Sequence, residues 1–434
     1  MIATYEEAVN WIHSRLRLGI KPGLKRMEYM MEKLDHPERK IQTIHIGGTN
    51  GKGSTVTYLR NILQQSGKRV GTFTSPYFER FNERISVNGD PIADNHLVQL
   101  VNLMIPISEK MEETEWGSPS EFEVITAMSF FYFSHINPVD IVIYEVGLGG
   151  RLDSTNIIQP LVTAITNIGM DHTQFLGETV EEIAFEKAGI IKERVPVISC
   201  VRQPEAIEVI KEKANEQLAD FYLYGVDFET NEEENLQAGE KFAFRSGQIK
   251  ETYEISMVGR HQIENASLAI KIIELLNQKY EFNIDNNAIQ LGLKNAYWPG
   301  RMEQISSIPL IYLDGAHNPE GVKTLVRTIE DRWTNKKVKI VVAALKDKDL
   351  KPMLSDFERV ADQLILTTFD FPRVASPQEL AGYISMNNVT EMNNWKSALP
   401  DVISEVKSDE VLLITGSLYF LSQVKPYLNS VIKN

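Results

Sequence analysis

A single cysteine, Cys200, stands in the whole chain. One thiol cannot close an internal disulfide, which fits a reducing compartment. Its neighbours Val197, Ile198 and Val201 predict a buried strand, so the thiol reads as a packing group rather than a nucleophile. Positive charge is also short: 45 Lys and Arg against 59 Asp and Glu give a formal net charge of -14. That balance excludes a sequence-independent grip on nucleic acid, which needs a basic face. It leaves room for anionic small substrates wherever cations gather locally. Long apolar runs are missing too. None approaches the roughly 18 residues of a membrane span, and the N-terminus, with Glu6 and Glu7, lacks the apolar core of a secretory leader. The expectation is a cytoplasmic protein without a membrane partner.

What the chain does have begins at 44–54, Ile-His-Ile-Gly-Gly-Thr-Asn-Gly-Lys-Gly-Ser. Ile41, Ile44 and Ile46 predict a short strand. Gly47, Gly48, Gly51 and Gly53 predict a tight turn whose N–H groups can face an anion with no Cβ in the way. Lys52 adds a point positive charge. From Ser54 the pattern turns helical, with Val56, Leu59, Ile62 and Leu63 on one face, so the loop sits at a helix N-terminus that also favours phosphate. The spacing departs from the usual nucleoside-triphosphate loop. Ile46 stands where the first glycine belongs and Gly53 where a hydroxyl belongs, with hydroxyls displaced to Ser54 and Thr55. A Gly-rich turn with an exposed lysine is the plain alternative; the strand before and the helix after favour a nucleotide.

At 434 residues the chain exceeds what one hydrophobic core usually serves, which predicts two domains. Helices are expected at 5–16 and 25–34, too short a lead to form a separate domain ahead of the loop. Strands at 69–74, 141–144, 161–166 and 195–201 alternate with helical stretches, the pattern of an α/β, doubly wound parallel sheet. Between 221 and 258, short antiparallel strands are expected at 222–224, 242–244 and 253–257, around a solvated acidic run at 231–235. Tyr297-Trp298-Pro299-Gly300-Arg301 punctuates the chain. Residues 1–296 are therefore expected as a nucleotide-binding domain and 297–434 as a smaller Rossmann-like α/β domain, with strands at 310–314, 337–343, 363–367 and 411–415.

Ligands of such sheets collect beyond the carboxyl ends of the strands. Lys52, Ser75, Glu145 and His172 each follow an apolar run, so four segments would bring a lysine, a hydroxyl, a carboxylate and an imidazole to one edge. Ser75 and Glu145 offer hard oxygens for Mg2+ beside phosphates, with His172 a less usual partner. Taken singly, Ser75, Glu145 and His172 are better explained by a Ser-Pro turn, a solvated acid and a helix cap; together they point to a site. Val180, Ile183, Ala184 and Lys187 fall at i, i+3, i+4 and i+7, which puts a lysine on an apolar stripe. Its stem could snorkel to water. Desolvated, its neutral amine could take up carbon dioxide as a carbamate, an anionic metal ligand. Asn265, near the start of a further helix, either caps it or reaches a base edge. In the second half, Asp314-Gly315-Ala316-His317-Asn318-Pro319 and Gly416-Ser417 again follow apolar strands, with an ordinary turn as the plain account of Asp314.

Taken together, Gly48 to Ser54, Ser75-Pro76, Phe81-Asn82-Glu83-Arg84-Ile85, Glu145 to Asp153, Asp171-His172-Thr173, Glu186 to Ile190 and Asp314 to Pro319 resemble the folylpolyglutamate synthase and dihydrofolate synthase family of the Mur ligase superfamily. The motifs run in family order through nearly the whole chain. The resemblance implies that Asn50, Gly51, Lys52, Gly53 and Ser54 hold ATP, with Asn265, Arg301 and Asp314 also on the nucleotide. It further implies that Ser75, Glu145 and His172 hold Mg2+, that Lys187 is carbamylated, and that a monovalent cation such as K+ assists. Pro76, Phe78, Phe122, Glu123 and Arg151 would lie near folate or dihydropteroate, and His317 and Ser417 near L-glutamate, with His317 joining Lys52 and Lys187 in catalysis. The implied reaction is ATP-dependent amide ligation through an acyl phosphate, releasing ADP and phosphate. A Mur-type ligase acting on a peptidoglycan precursor is the alternative within the superfamily, and a nucleotide-driven switch without ligation the alternative outside it. Nothing in the sequence demands more than a monomer.

Overall fold

The structure, a computed structural model, describes residues 1–19 and 21–432. The chain divides into two compact units. One holds Met1–Glu233, Lys241–Ile255 and Ile263–Ala296, and the other Glu234–Glu240, Ser256–Gln262 and Tyr297–Asn434. A single cut at 296/297 does not capture the two short segments that belong with the second unit.

The first unit is built on eight strands: β1 (Thr43–Gly47), β2 (Val70–Phe73), β3 (Ile85–Val87), β4 (Asp90–Pro91), β5 (Ile141–Glu145), β6 (Val162–Ile165), β7 (Val197–Ser199) and β8 (Phe221–Leu223). Their spatial order is β4-β3-β2-β5-β1-β6-β7-β8. The run from β2 to β8 is parallel, and β3 and β4 are antiparallel at one edge. Strands buried on both faces read as unbroken apolar runs, which is why Ile141, Val142, Ile143 and Tyr144 show no alternation and are all buried. Phe73, Phe130, Phe133 and Tyr144 anchor one core cluster, while Ile165, Ile183, Ile190, Val197 and Ile210 anchor another. The covering helices start where local chemistry dictates. Ser120 with Glu123 and Thr179 with Glu182 form capping boxes at the starts of Glu121–Phe131 and Val180–Ala188.

Two expectations are corrected here. The stretch 222–224 was expected among antiparallel strands, yet β8 pairs in parallel with β7 as the last strand of the large sheet. The antiparallel sheet is instead β9 (Phe228–Asn235), β10 (Glu240–Ser246) and β11 (Ile249–Ile255), in the order β11-β10-β9. The acidic run 231–235 is therefore strand and not loop. An edge strand with a solvated face tolerates consecutive acids, and that hides its periodicity.

The second unit carries β12 (Glu303–Ser307), β13 (Leu310–Asp314), β14 (Lys337–Val342), β15 (Gln363–Thr367), β16 (Val389–Met392) and β17 (Glu410–Thr415), in the order β12-β13-β17-β14-β15-β16. All pairings are parallel except β12 with β13. Ile340, Val342, Leu364, Leu366 and Leu413 pack with Val326 and Phe357 in its core. The sequence reading passes over β12 and β16, both edge strands that are half exposed and carry no apolar run. Both units are built on largely parallel sheets covered by helices, the α/β class expected. Among the described residues no helix is long and apolar enough to cross a membrane.

Candidate active site

Strands β2, β5, β1 and β6 are consecutive neighbours running in one direction. Their carboxyl ends lead in turn to Ser75, Glu145, the glycine loop and Asp171-His172, so one edge of the sheet receives all four. The loop's shape depends on two glycines. Gly48 has φ +136 and Gly51 φ +83; a Cβ would lie 1.9 Å from Thr166 Oγ1 at the first and 2.3 Å from Asn265 Oδ1 at the second. With Gly51 as N-cap, the helix Lys52–Gln65 begins two residues earlier than Ser54, which places Lys52 itself in the first turn. The segment after β6 braces the loop. Thr166 Oγ1 donates to Asn50 O (2.6 Å), Asn50 N–H donates to Asn167 Oδ1 (2.8 Å), and Gly169 N–H donates to Thr49 Oγ1 (2.9 Å). Sequence reasoning passes over Thr166 and Asn167 as site residues; their one signal is position at the end of an apolar run.

Two lysines meet at this loop. Lys52 Nζ donates to Gly48 O (3.0 Å) and Thr49 O (3.1 Å), and Lys187 Nζ donates to the same Gly48 O (3.0 Å). Lys187 is only 4% exposed, so its stem does not snorkel to water. Burial first, and the nearby Lys52 charge second, pull its pKa from 10.5 down to about 7, while Asp171 and Asp153 oppose the shift. A substantial fraction of this amine is neutral near pH 7.

Ser75 N–H donates to Glu145 Oε2 at 3.2 Å, so these two meet at the ends of β2 and β5. His172 has φ +51 and a 45% exposed side chain, with Nε2 4.0 Å from Asp171 Oδ1. It is the N-cap residue of the one-turn helix Thr173–Leu176, as the capping account expects, but its side chain makes no cap hydrogen bond. Among the described residues, no group of three or more His, Cys, Asp or Glu gathers as a closed metal cage. Mg2+ is commonly held by one or two protein oxygens together with phosphates and water, so the Ser75 and Glu145 pair beside an anion loop fits it.

The residues expected near folate divide by environment. The Ser75-Pro76 bond is cis, and Phe78 N–H donates to Glu83 Oε2 (2.7 Å). Phe122 lies so close to Gly147 that a Cβ there would fall 2.4 Å from Phe122 Cζ. Glu123 is engaged at both oxygens, by Arg26 Nε (2.7 Å) and by Ser120 N–H and Oγ (2.7 and 2.8 Å), which makes it a brace at a helix start. Arg151 pairs with Glu186 (2.7 Å) and lies over the Phe185 ring.

In the second unit Asp314 ends β13 and Ser417 follows β17, and these strands are neighbours. Asp314 is buried, accepting from Met302 N–H and Ala316 N–H, both at 2.9 Å. Burial raises its pKa, while Arg301 and those donors oppose the rise. His317 Nδ1 is 2.8 Å from Gly315 O; a carbonyl only accepts, so Nδ1 carries the proton. Arg301 Nη1 lies 3.0 Å from the Cβ position of Gly315. Asn265 is interior to the helix Arg260–Tyr280, which excludes the cap reading and leaves its amide against Gly51. Cys200 is buried, and burial raises its thiol pKa well above the usual value, as a packing residue requires.

Comparison with known proteins adds the family. The Mur ligase middle domain matches residues 46–273, and the Mur ligase glutamate ligase domain matches residues 300–418. The chain is 46% identical over 433 residues to a dihydrofolate synthase/folylpolyglutamate synthase of Bacillus subtilis, spanning 99% of this chain and 100% of that one. It is 34% identical to a folylpolyglutamate synthase of Lacticaseibacillus casei, spanning 98% of each. Among solved structures, a folylpolyglutamate synthase of Thermotoga maritima matches with a TM-score of 0.85 at 34% identity, over 98% of this chain and 97% of that one. An FPGS-AMPPCP-folate complex matches with 0.85 at 31% identity, over 98% and 100%. With a glycine loop, a buried lysine and Ser75 hydrogen-bonded to Glu145 at the strand ends of the same chain, these full-length matches mean that the protein belongs to the folylpolyglutamate synthase/dihydrofolate synthase family of the Mur ligases.

Proposed function

We infer that this chain is an ATP-dependent ligase that joins L-glutamate to a folate carboxylate by an amide bond, releasing ADP and phosphate. The observation that carries the reading is the anion loop with two lysines on one carbonyl, in a chain whose full-length relatives are folate ligases. Those relatives disfavour a peptidoglycan substrate. The Bacillus subtilis relative is both dihydrofolate synthase and folylpolyglutamate synthase, which supports activity on dihydropteroate as well as on reduced folates.

The chemistry follows from the electrophile. A carboxylate resists attack by an amine, so its oxygen first takes the terminal phosphoryl group of ATP, giving an acyl phosphate and ADP. The N–H groups of 50–54 and the Lys52 ammonium hold the phosphates and offset charge on the transferring oxygens. Asn265, Arg301 and Asp314 complete the nucleotide contacts. Ser75, Glu145 and His172 would hold Mg2+, which supplies charge neutralisation at phosphate oxygens. The neutral Lys187 amine adds to carbon dioxide, forming a C–N bond and releasing one proton, so that the side chain becomes an anion at the loop. Pro76, Phe78, Phe122 and Arg151 orient the folate, with Glu123 bracing that segment. His317 and Ser417 receive L-glutamate, whose ammonium must lose a proton before attack. Since His317 Nδ1 is committed as a donor, the basic nitrogen of that ring is Nε2. The amine then attacks the acyl carbonyl, and the tetrahedral intermediate expels phosphate.

In this scheme residues 1–296 bind folate and the phosphates of ATP, and 297–434 supply Arg301 and Asp314 for the nucleotide and His317 and Ser417 for glutamate. A monovalent cation such as K+, a monomeric state and a cytoplasmic location complete the proposal. Phosphate release measured with ATP, Mg2+ and L-glutamate tests it: both dihydropteroate and tetrahydrofolate should stimulate release. Release indifferent to glutamate and to both pteroates would overturn ligation. Turnover of a nucleotide-linked muramyl substrate alone would select the peptidoglycan alternative.

A further inference from the structure

One buried imidazole takes no part in that scheme. His45 lies in the middle of β1, three residues before Gly48, and is wholly buried. Burial lowers its pKa to about 3, so the ring is neutral at any physiological pH. Its Nε2 is 2.8 Å from Thr155 Oγ1, and Thr155 Oγ1 is 2.5 Å from Asp153 Oδ1. Asp153 also accepts from Thr155 N–H (3.0 Å) and Leu148 N–H (2.8 Å). A carboxylate surrounded by donors only accepts, so the Thr155 hydroxyl proton points at Asp153. Thr155 Oγ1 must then accept from the ring, which places the His45 proton on Nε2. The order of donors is fixed by chemistry: His45 to Thr155, and Thr155 to Asp153.

The far end of this chain is a loop with work to do. Asp153 pins Leu148 N–H, between Glu145 and Arg151, and Gly147 in the same loop packs on the Phe122 ring. A second brace uses other side chains, although Asn156 N–H also donates to Asp153 O (2.9 Å): Asn156 Nδ2 donates to Arg151 O and Gly189 O, and Lys192 Nζ donates to Asn156 O. Loss of the first brace therefore lets the loop drift without releasing it. We propose that His45 and Thr155 are positioning residues for Asp153, and that their hydrogen bonds hold the Gly147-Leu148 turn in the shape that folate requires. This rests on the reading that Phe122 and Arg151 face folate. Neither His45 nor Thr155 touches substrate in it.

Two arms test the proposal on the full-length enzyme. In steady-state kinetics, Thr155→Val and His45→Leu should raise KM for the folate substrate on the order of tenfold while KM for ATP stays within about twofold, the size typical of lost supporting hydrogen bonds. Thr155→Ser and His45→Gln, which keep the hydroxyl and an Nε-type donor, should restore it. A fall in melting temperature with both KM values unchanged, or with both raised together, would reduce the network to a structural role and overturn the proposal. The second arm needs no variant. Nitrogen NMR of the parent should show His45 protonated at Nε2 and unprotonated at Nδ1, unchanged from about pH 5 to 8, the range in which ordinary imidazoles titrate. An Nδ1–H tautomer, or titration in that range, would overturn the hydrogen-bond order. Failure of the functional reading is distinct, since the parent enzyme would then show no folate-dependent turnover while the NMR result stood.

Discussion

The carboxyl ends of β2, β5, β1 and β6 in the first unit and of β13 and β17 in the second arise from the same kind of parallel sheet, yet their chemistry is opposed. The first edge gathers backbone N–H groups and two lysine amines around Gly48 O. The second presents a buried carboxylate, Asp314, and an imidazole whose proton is held by a carbonyl. In the proposed scheme the first faces the phosphates of ATP, and the second gives Asp314 to the nucleotide and His317 to the glutamate amine. A parallel α/β sheet supplies the place where ligands collect, and the residues just past each apolar run supply the chemistry.

The contrast breaks most sharply at Lys52. Lys52→Ala should lower kcat/KM about a thousandfold, the cost of removing a group that offsets transition-state charge, with the circular dichroism spectrum unchanged. Activity within tenfold of the parent would take the loop out of the mechanism. Lys187→Ala should cost about a hundredfold in kcat, and millimolar formate or acetate should restore part of it if an anion is what the site needs. Lys187 also gives the contrast a pH signature. Its folded pKa, about 7, lies below the 10.5 of the unfolded chain, so between those values the unfolded state binds the extra proton. In buffer freed of carbon dioxide, where Lys187 carries no carbamate, stability of the parent relative to Lys187→Met should therefore be lowest below pH 7 and rise toward pH 10.5, read as a difference in melting temperature.

Asp314→Ala probes the other edge. It leaves the N–H groups of Met302 and Ala316 unpaired in a buried site, which should cost about 1–3 kcal/mol in denaturant unfolding and weaken ATP binding by calorimetry. The smallest effect is expected at Cys200. Native protein should resist iodoacetamide, and Cys200→Ala should leave turnover unchanged, because the buried thiol stays protonated.

Legibility followed the range of the interactions. The glycine loop was readable because strand, turn and helix start are all local; the boundaries moved only slightly, with β1 running from Thr43 through Gly47 and the helix starting two residues early at the left-handed Gly51 cap. Helical spacing put Lys187 on an apolar stripe but left snorkelling to water equally open, and only the structure shows it buried. Asn265 was not resolved, since a residue near a helix start reads as a cap until the true start, Arg260, is known. β9 was hidden because consecutive acids on a solvated edge erase the two-residue alternation. The hydrogen bonds from His45 to Thr155 and from Thr166 to the loop join residues more than 100 positions apart, and no local pattern encodes such pairs. The pairing of Ser75 with Glu145 became visible only with the strand order that makes β2 and β5 neighbours.

The most direct test of acyl phosphate formation at this rim follows oxygen. A folate substrate labelled with oxygen-18 in both atoms of its reacting carboxylate, turned over with ATP and L-glutamate, should deliver one labelled oxygen to the released phosphate and keep one in the amide. Release of unlabelled phosphate alongside the amide product would contradict the account.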